Sequence, residues 1–335
     1  MENAGPKTKQ FFLEENFTEK TGDAFLRLRE GFVARGSWAL QNPQPLLEAM
    51  ERGHPFGILV GMRPHTRLHV GHLTLMRELD WLIQQGGQPI FVYAGYEAEV
   101  PLTEQDAIEE TSRFNTVYTN FTGKPLPPTV ESISDQDSEE LSSLEERVAK
   151  TLTIRKILQL YGWDQGTLLT KIRIPAIVAS SFLLSSARTP NKAVVVLTDI
   201  NQVTHAEVAR IAAKQLDIPF PTFSYRYLLQ SLEGPEKRMS TKNPKSVIFL
   251  NESPEELNRK LQKSFSGGCA SPEEQRISGG NPLQCSFFSI AEVVQSRSDV
   301  ETMYENCVTG SALCAQCKGT YRAQMVDRMV KYSTP

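Results

Sequence analysis

Short apolar runs alternate with longer stretches of helical periodicity between about residues 56 and 216. The runs at 56–60, 89–94 and 193–197 have the length and the flanking breaks of buried strands. The stretches near 70–86, 103–121, 137–160 and 203–216 place apolar residues at helical spacing. Alternation of this kind predicts an α/β fold, a parallel sheet with helices on both faces. Residues 1–50 mix charge and aromatics without a clear period and read as an N-terminal extension packed on that sheet. The acidic segment 131–147 reads as a loop followed by a solvated helix start. After about residue 250 the strand signals fade. Helical patterns separated by glycine pairs at 267–268 and 279–280 then predict a C-terminal helical domain, which divides the chain into segments 1–50, 51–250 and 251–335.

Composition narrows the class without naming a function. With 335 residues, 40% apolar and 22% charged, the chain is long enough for two domains and ordinary for a soluble globule. No apolar run looks long enough to span a bilayer, and the polar start at Met1 lacks the features of a secretory signal, so the expected location is the cytoplasm. A net charge of −3 provides no global attraction to a polyanion. Residues 251–335 carry nine Lys and Arg against ten Asp and Glu, so a nucleic-acid partner would be held by a local patch such as Lys318, Arg322, Arg328 and Lys331 on the last helix.

Two segments carry candidate chemistry. Residues 57–72 run from an apolar strand through Gly61, Met62, Arg63, Pro64 and His65 to His69, Val70, Gly71 and His72. Two histidines at the first turn of a helix suit a phosphate, because unpaired N–H groups and the helix dipole favour an anion there and imidazoles add donors. Gly71 leaves room for a flat ring close to the backbone. The second segment, 234–249, is a Gly/Pro-bounded loop with Lys237, Arg238, Lys242 and Lys245 around Met239 and Ser240. Cations on a mobile loop can close on a triphosphate and stabilise charge as pyrophosphate leaves.

Together these segments resemble the paired signatures of the class I aminoacyl-tRNA synthetases. Within that class the chain is similar to tryptophanyl-tRNA synthetases, through 61–64 ahead of Leu68–His72, Ser266–Gly268, Glu274–Arg276 and Gly279–Pro282. The resemblance covers about residues 45 to 325. It implies a Rossmann-type catalytic domain over 51–250 with an ATP-closing loop at 234–246, and a homodimer. It also implies activation of an amino acid by ATP and Mg2+ to an acyl-adenylate, followed by transfer to tRNA. Carried over residue by residue, it makes His69, His72, Met239, Ser240 and Lys242 catalytic, and it adds Met62, Arg63, His65, Gly71 and Arg238 to the ATP site. Three positions depart from the pattern: Arg238 stands for the first loop lysine, Thr241 for the second with Lys242 one place later, and His65 for the serine or threonine that commonly follows the proline of the first motif.

The amino acid pocket departs further. The resemblance places Leu59, Gly61, Val92, Glu97, Ile174, Val178, Ser181 and Gln202 around the substrate. Leu59 and Val92 stand where relatives read the indole with polar side chains, and Ser181 where others place an aspartate. Either the chain reads the indole in a third way, with the matched positions displaced, or a pocket without those handles discriminates weakly for an indole N–H, which points to a changed amino acid or to a paralogue with a different acyl acceptor, an amine or a peptide. A catalytically silent binding protein is the third reading, disfavoured by intact His69, His72, Met239 and Ser240.

Four of the five cysteines fall late, as Cys285-x21-Cys307-x6-Cys314-x2-Cys317. In a cytosolic protein close thiols favour metal or cluster binding, and four thiolates suit either zinc or an iron–sulfur cluster. Some tryptophanyl relatives hold a [4Fe–4S] cluster on nearly this spacing, which implies the same here with Zn2+ as the alternative. Cys269 lies outside the pattern.

Overall fold

The computed structural model describes residues 37–62, 67–93, 104–128, 131–134, 139–226 and 229–333. By contact density the chain forms two compact units, one of 1–65, 77–112 and 126–227, the other of 66–76, 113–125 and 228–335.

The first unit is built on a six-stranded sheet. Its strands are β1 (Ser37–Gln41), β2 (Phe56–Met62), β3 (Gly87–Tyr93), β4 (Glu131–Ser134), β5 (Val194–Asp199) and β6 (Thr222–Arg226), in the order β1-β6-β5-β2-β3-β4. Strands β2 to β6 are mutually parallel, and β1 pairs antiparallel with β6. The Rossmann-type α/β expectation therefore holds with one correction: an antiparallel strand closes one edge, and it comes from the segment expected to be an extension. Both faces of β2 are buried, Leu59 on one and Ile58 and Val60 on the other, as a strand covered by helices on both sides requires.

Helix α1 (Gln44–Glu51) packs on β5 and β6. Helices α2 (Val70–Gln84) and α3 (Glu104–Thr122) fall where periodicity places them. The stretch 137–160 is two helices, α4 (Glu139–Ala149) and α5 (Ile154–Tyr161), because Thr153 caps a new start with its hydroxyl accepting from the Lys156 N–H. Segment 131–147 is corrected too, since it opens with β4 pairing to β3. Helix α6 (Leu169–Arg188) packs against α4 and against α7 (Val203–Leu216). By length and hydropathy α6 alone among the described helices could cross a membrane, contrary to the sequence expectation, but 61% of its apolar window is buried inside the unit. That burial fits a core helix.

The second unit holds a hairpin, β7 (Gln230–Ser231) and β8 (Gly234–Arg238), and five helices: α8 (Pro254–Lys263), α9 (Pro272–Ser278), α10 (Ser286–Val294), α11 (Arg297–Val308) and α12 (Cys314–Tyr332). Ser253, Ser271 and Ser296 cap α8, α9 and α11 through their hydroxyls, and Pro at the first helical position of α8 and α9 reinforces the start.

Candidate active site

His69 and His72 open helix α2, and their side chains form a reciprocal cap. Gly71 N–H donates to His69 Nδ1 at 3.1 Å, and His69 N–H donates to His72 Nδ1 at 3.1 Å. This is the logic of a capping box written with imidazoles. A backbone N–H can only donate, so His69 Nδ1 accepts and its ring carries the proton on Nε2, the form that donates to an anion, while His72 Nδ1 faces both the His69 N–H and, at 3.3 Å, the His69 carbonyl. The rings lie 4.1 Å apart by centroid. Gly71 is needed for this cap: a Cβ there would stand 2.8 Å from His69 Cε1 and 2.9 Å from its Nδ1. The flat ring that Gly71 admits is therefore that of His69.

The same bonds correct one expectation. Val70 N–H donates to Ile248 O at 3.1 Å and His72 N–H to His69 O at 2.8 Å, so the N–H groups of 69–72 all have partners within the chain. An anion at this turn would meet imidazole donors rather than orphan backbone groups.

A short antiparallel pairing brings the loop to the histidines. His69 and Phe249 form a β-bridge, and Leu250 N–H donates to Leu68 O at 2.9 Å. Arg67 reinforces the pairing, bonding Asn251 Oδ1 at 2.7 and 3.1 Å with its guanidinium 4.0 Å from the Phe249 ring centroid. Just upstream the loop is folded on itself. Buried Ser246 accepts from Ser240 N–H and donates to Asn243 O at 2.7 Å, and Lys242 N–H donates to Ser240 Oγ at 3.3 Å. Met239 N–H is held by Leu229 O at 3.1 Å. Arg238 and Lys242 are exposed while Met239 and Ser240 are half-buried. His69, Gly71, His72, Arg238, Met239, Ser240 and Lys242 thus all belong to one compact unit. Met62 is the buried last residue of β2. Arg63, His65 and Glu97 lie outside the described residues.

The pocket residues belong to the first unit. Leu59, Val92 and Val178 share one buried apolar cluster with Phe182 and Val196, and Ile174 packs against it. Ser181 is buried and its hydroxyl donates to Ile177 O at 3.1 Å. Gly61 is exposed with open space where a Cβ would stand, beside the carboxyl end of β2. Strand β2 lies between β3 and β5, the reversal of strand order at whose carboxyl ends α/β sheets bind ligands. Gln202 ends a 3-10 turn just after β5.

Sequence reading missed a buried ion pair in this unit. Arg226, the last residue of β6, donates to Glu78 Oε2 at 3.0 Å, and the Ser224 hydroxyl donates to Glu78 Oε1. Arg226 Nη2 lies 3.5 Å from Asp199 Oδ1 at the carboxyl end of β5. Glu78 and Arg226 stand 148 positions apart, so no local pattern signals them.

His69 and His205 share an electrostatic property. Burial lowers each from 6.5 to about 4, and His205 Nδ1 lies 2.6 Å from the Tyr161 hydroxyl. Both are neutral in the folded chain at pH 7, while the unfolded chain takes up protons at the ordinary histidine pKa. Stability is therefore full above pH 6.5 and falls as pH drops towards 4, by about 3 kcal/mol for each ring. Denaturant melts at pH 7 and pH 5 check this: His205→Asn is expected to remove about half of the difference, and equal stability at both pH values would contradict it.

The four cysteines converge in the second unit. Cys285, Cys307, Cys314 and Cys317 line one cavity of about 130 Å3, together with Lys318 and Gln275. The glycine pairs explain the closeness. A Cβ on Gly268 would lie 2.8 Å from Cys314 Sγ, and one on Gly280 2.9 Å from Cys307 Sγ. Cys285 caps α10, its sulfur accepting from Phe288 N–H at 3.4 Å, and Cys314 and Cys317 occupy the first turn of α12, where the dipole favours thiolates. Burial and the neighbouring sulfurs push Cys307 up to about 11 and Cys317 to about 12, so four thiolates together require a cationic group between them. Among the described residues no three His, Cys, Asp or Glu side chains converge tightly enough for a single metal ion. Cys269 instead donates to Gly279 O at 3.1 Å. The expected cationic stripe on α12 is not formed as such: Lys318 turns inward to Gln262 O and Ser264 O, and Arg328 donates to Val294 O at 3.1 Å.

Comparison with known proteins agrees with this geometry. Residues 50–329 match the family model described as tRNA synthetases class I (W and Y). The chain is 26% identical over 314 residues to the tryptophan–tRNA ligase of Pyrobaculum calidifontis, covering 91% of this chain and 82% of that protein. The tryptophanyl-tRNA synthetase structure from Aeropyrum pernix K1 superposes with a TM-score of 0.78 at 22% identity, over 97% of this chain and 88% of that one. A tyrosyl-tRNA synthetase from Aeropyrum pernix reaches 0.69 at 17% identity, over 91% of this chain and 94% of that one, so the shared fold alone does not select between the two amino acids.

Proposed function

The chain belongs to the class I tRNA synthetases of the W and Y group, and from that premise we propose that it activates tryptophan with ATP and charges tRNA with it, as the enzyme names of its curated relatives indicate. The observation that carries the reading is the pairing of 68–70 with 248–250, which holds the histidine turn and the 239–246 loop together. The substrate carboxylate attacks the α-phosphorus in line and pyrophosphate departs, so catalysis is mostly positioning and charge stabilisation. His69 and His72 donate to phosphate oxygens through Nε2–H. Arg238 and Lys242 approach the leaving pyrophosphate as the loop closes, with Met239 and Ser240 forming its turn. Met62, Gly71, Arg63 and His65 complete the ATP site. ATP and Mg2+ are usual for the family. We further propose that the protein acts as a cytoplasmic homodimer, with 51–250 as its catalytic segment.

For the cysteines we propose a [4Fe–4S] cluster, ligated by Cys285, Cys307, Cys314 and Cys317 and structural in the segment 251–335. The size of the cavity and the glycines against the sulfurs support it, and Zn2+ is the alternative. When bound, the cluster supplies the positive charge that keeps four thiolates together.

A second reading keeps adenylate formation but changes the amino acid or the acyl acceptor. It is favoured by the apolar cluster of Leu59, Val92 and Val178, and by the engagement of the Ser181 hydroxyl with Ile177 O. Glu97, Ile174, Gly61 and Gln202 complete the pocket in either reading. Aminoacylation of total tRNA with labelled tryptophan separates them. The first reading expects alkali-labile charging of a tryptophan acceptor; efficient adenylate formation with no charged tRNA would favour the second.

A further inference from the structure

Helix α8 carries a buried lysine for which the reaction just described has no use. Lys260 has a side chain only 6% exposed, and each of its three donors has an acceptor. Nζ donates to Pro244 O at 2.7 Å, to Val247 O at 2.7 Å and to Glu252 Oε1 at 2.5 Å. The two carbonyls lie at the carboxyl end of the 239–246 loop. Two residues further on, Phe249 forms the bridge to His69, and the Lys260 ammonium stands 5.5 Å from its ring centroid. One ammonium therefore holds the loop and the residue just after it, and stands close to the bridge partner of the histidine turn.

This arrangement is costly for a purely structural position. Among the described residues no donor reaches Glu252 Oε2 at hydrogen-bond geometry, and burial pushes the Glu252 carboxyl above its usual range despite the neighbouring Lys260 ammonium and Phe249 N–H. Replacing a buried ion pair by apolar residues of similar volume is often neutral or stabilising, so packing alone does not call for Lys and Glu here. What apolar residues cannot do is hold two backbone carbonyls. By contrast, the tip of the loop is held mainly by its own turn, through Ser240, Asn243 and Ser246, with single bonds outward from Asn243 Nδ2–H to Glu233 Oε2 and from Met239 N–H to Leu229 O, both at 3.1 Å.

We propose that Lys260 is a positioning residue for ATP activation. It clamps the carboxyl end of the loop at a fixed place relative to the His69 turn, so that closure moves 239–243 about an immobile base at 244–247. This deepens the reading of the loop as the ATP-closing element and rests on it.

The test is the double variant Lys260→Met with Glu252→Leu, which removes both charges together and leaves Pro244 O and Val247 O without their donor. Expected are near-normal thermal melting, a fall of about tenfold or more in kcat for ATP–pyrophosphate exchange, and a raised KM for ATP with an unchanged KM for the amino acid. Tryptic cleavage after Lys242 and Lys245 accelerates, and ATP no longer slows it. The single variant Lys260→Arg, which restores donors, recovers part of both. A double variant that melts, exchanges pyrophosphate and resists trypsin like the unmodified protein would overturn the proposal. Hydrogen exchange on the unmodified protein needs no variant: 244–249 is expected to be protected with and without ATP, and 239–243 only with it. Equal responses of the two segments would also overturn it. If the unmodified protein supports no exchange with any amino acid, the activity reading fails; faster cleavage of the double variant would still show the clamp.

Discussion

Replacing His72 with alanine lowers the rate of adenylate formation by about two to three orders of magnitude, the usual loss when one fixed donor to a developing charge is removed. The same change removes the acceptor for His69 N–H, which stands 3.1 Å from His72 Nδ1. Loss of such a cap costs about 1 kcal/mol, far less than the kinetic effect. His72→Glu separates the two roles. A glutamate three positions after the capping residue can reach back to the same N–H. That variant melts close to the unmodified protein yet stays inactive, because it offers phosphate a negative charge in place of a donor. Pre-steady-state adenylate formation and thermal melting check both. A His72→Glu variant with near-normal activity would make the histidine a structural cap and nothing more.

The second large effect concerns the cysteine cavity. Anaerobically purified protein is expected to carry about four iron and four sulfide per chain, and Cys317→Ser to carry less than about one of each. Cys314 and Cys317 open α12, Cys285 caps α10 and Cys307 stands in the last turn of α11, so a group held by all four would tie three helices together. Without it the cavity of about 130 Å3 keeps only protein hydrogen bonds between its walls, such as Gly280 N–H to Cys307 O and Asn281 N–H to Gly267 O, both at 2.7 Å. Structural metal groups contribute folding energy outright, and loss of this one is expected to lower the melting temperature by about 10 °C or more. Iron and sulfide analysis with calorimetry checks this. One equivalent of zinc and no iron in the unmodified protein would overturn the cluster assignment.

The central strands were readable from sequence because they are apolar throughout. Residues 56–60 and 193–197 sit mid-sheet, where both faces need apolar side chains. Strands β1, β4 and β6 escaped because their composition differs. Strands β1 and β4 are edges, and β4 is Glu131, Ser132, Ile133 and Ser134, with a single large apolar residue. Strand β6 alternates Thr222, Phe223, Ser224, Tyr225 and Arg226, all buried, its polar members satisfied by Asn42 O and Glu78. Helix α6 is obscured by Pro175 and by serines, yet Ser180 and Ser181 return their hydroxyls to the carbonyls of Ala176 and Ile177 and can be buried without penalty.

The site was legible to a similar degree, for a similar reason. His69, Gly71 and His72 lie within one helical turn, and Arg238 to Lys242 within one loop, so each group announces itself locally. What joins them is long-range: the bridge of His69 to Phe249 and the clamp from Lys260. Neither has a sequence signature. The histidine turn was misread in one respect, since its backbone N–H groups are satisfied internally. The glycine pairs at 267–268 and 279–280 read as helix separators, and their second role, admitting sulfur atoms, is visible only in three dimensions.

In the proposed function the histidine turn and the loop together form one device for activating a carboxylate with ATP. ATP–pyrophosphate exchange tests it most directly, with purified protein, Mg2+ and a panel of amino acids including tryptophan and tyrosine. Exchange that depends on tryptophan and disappears in His72→Ala is the predicted result. The absence of exchange with every amino acid in the panel, from protein that is folded, would contradict it.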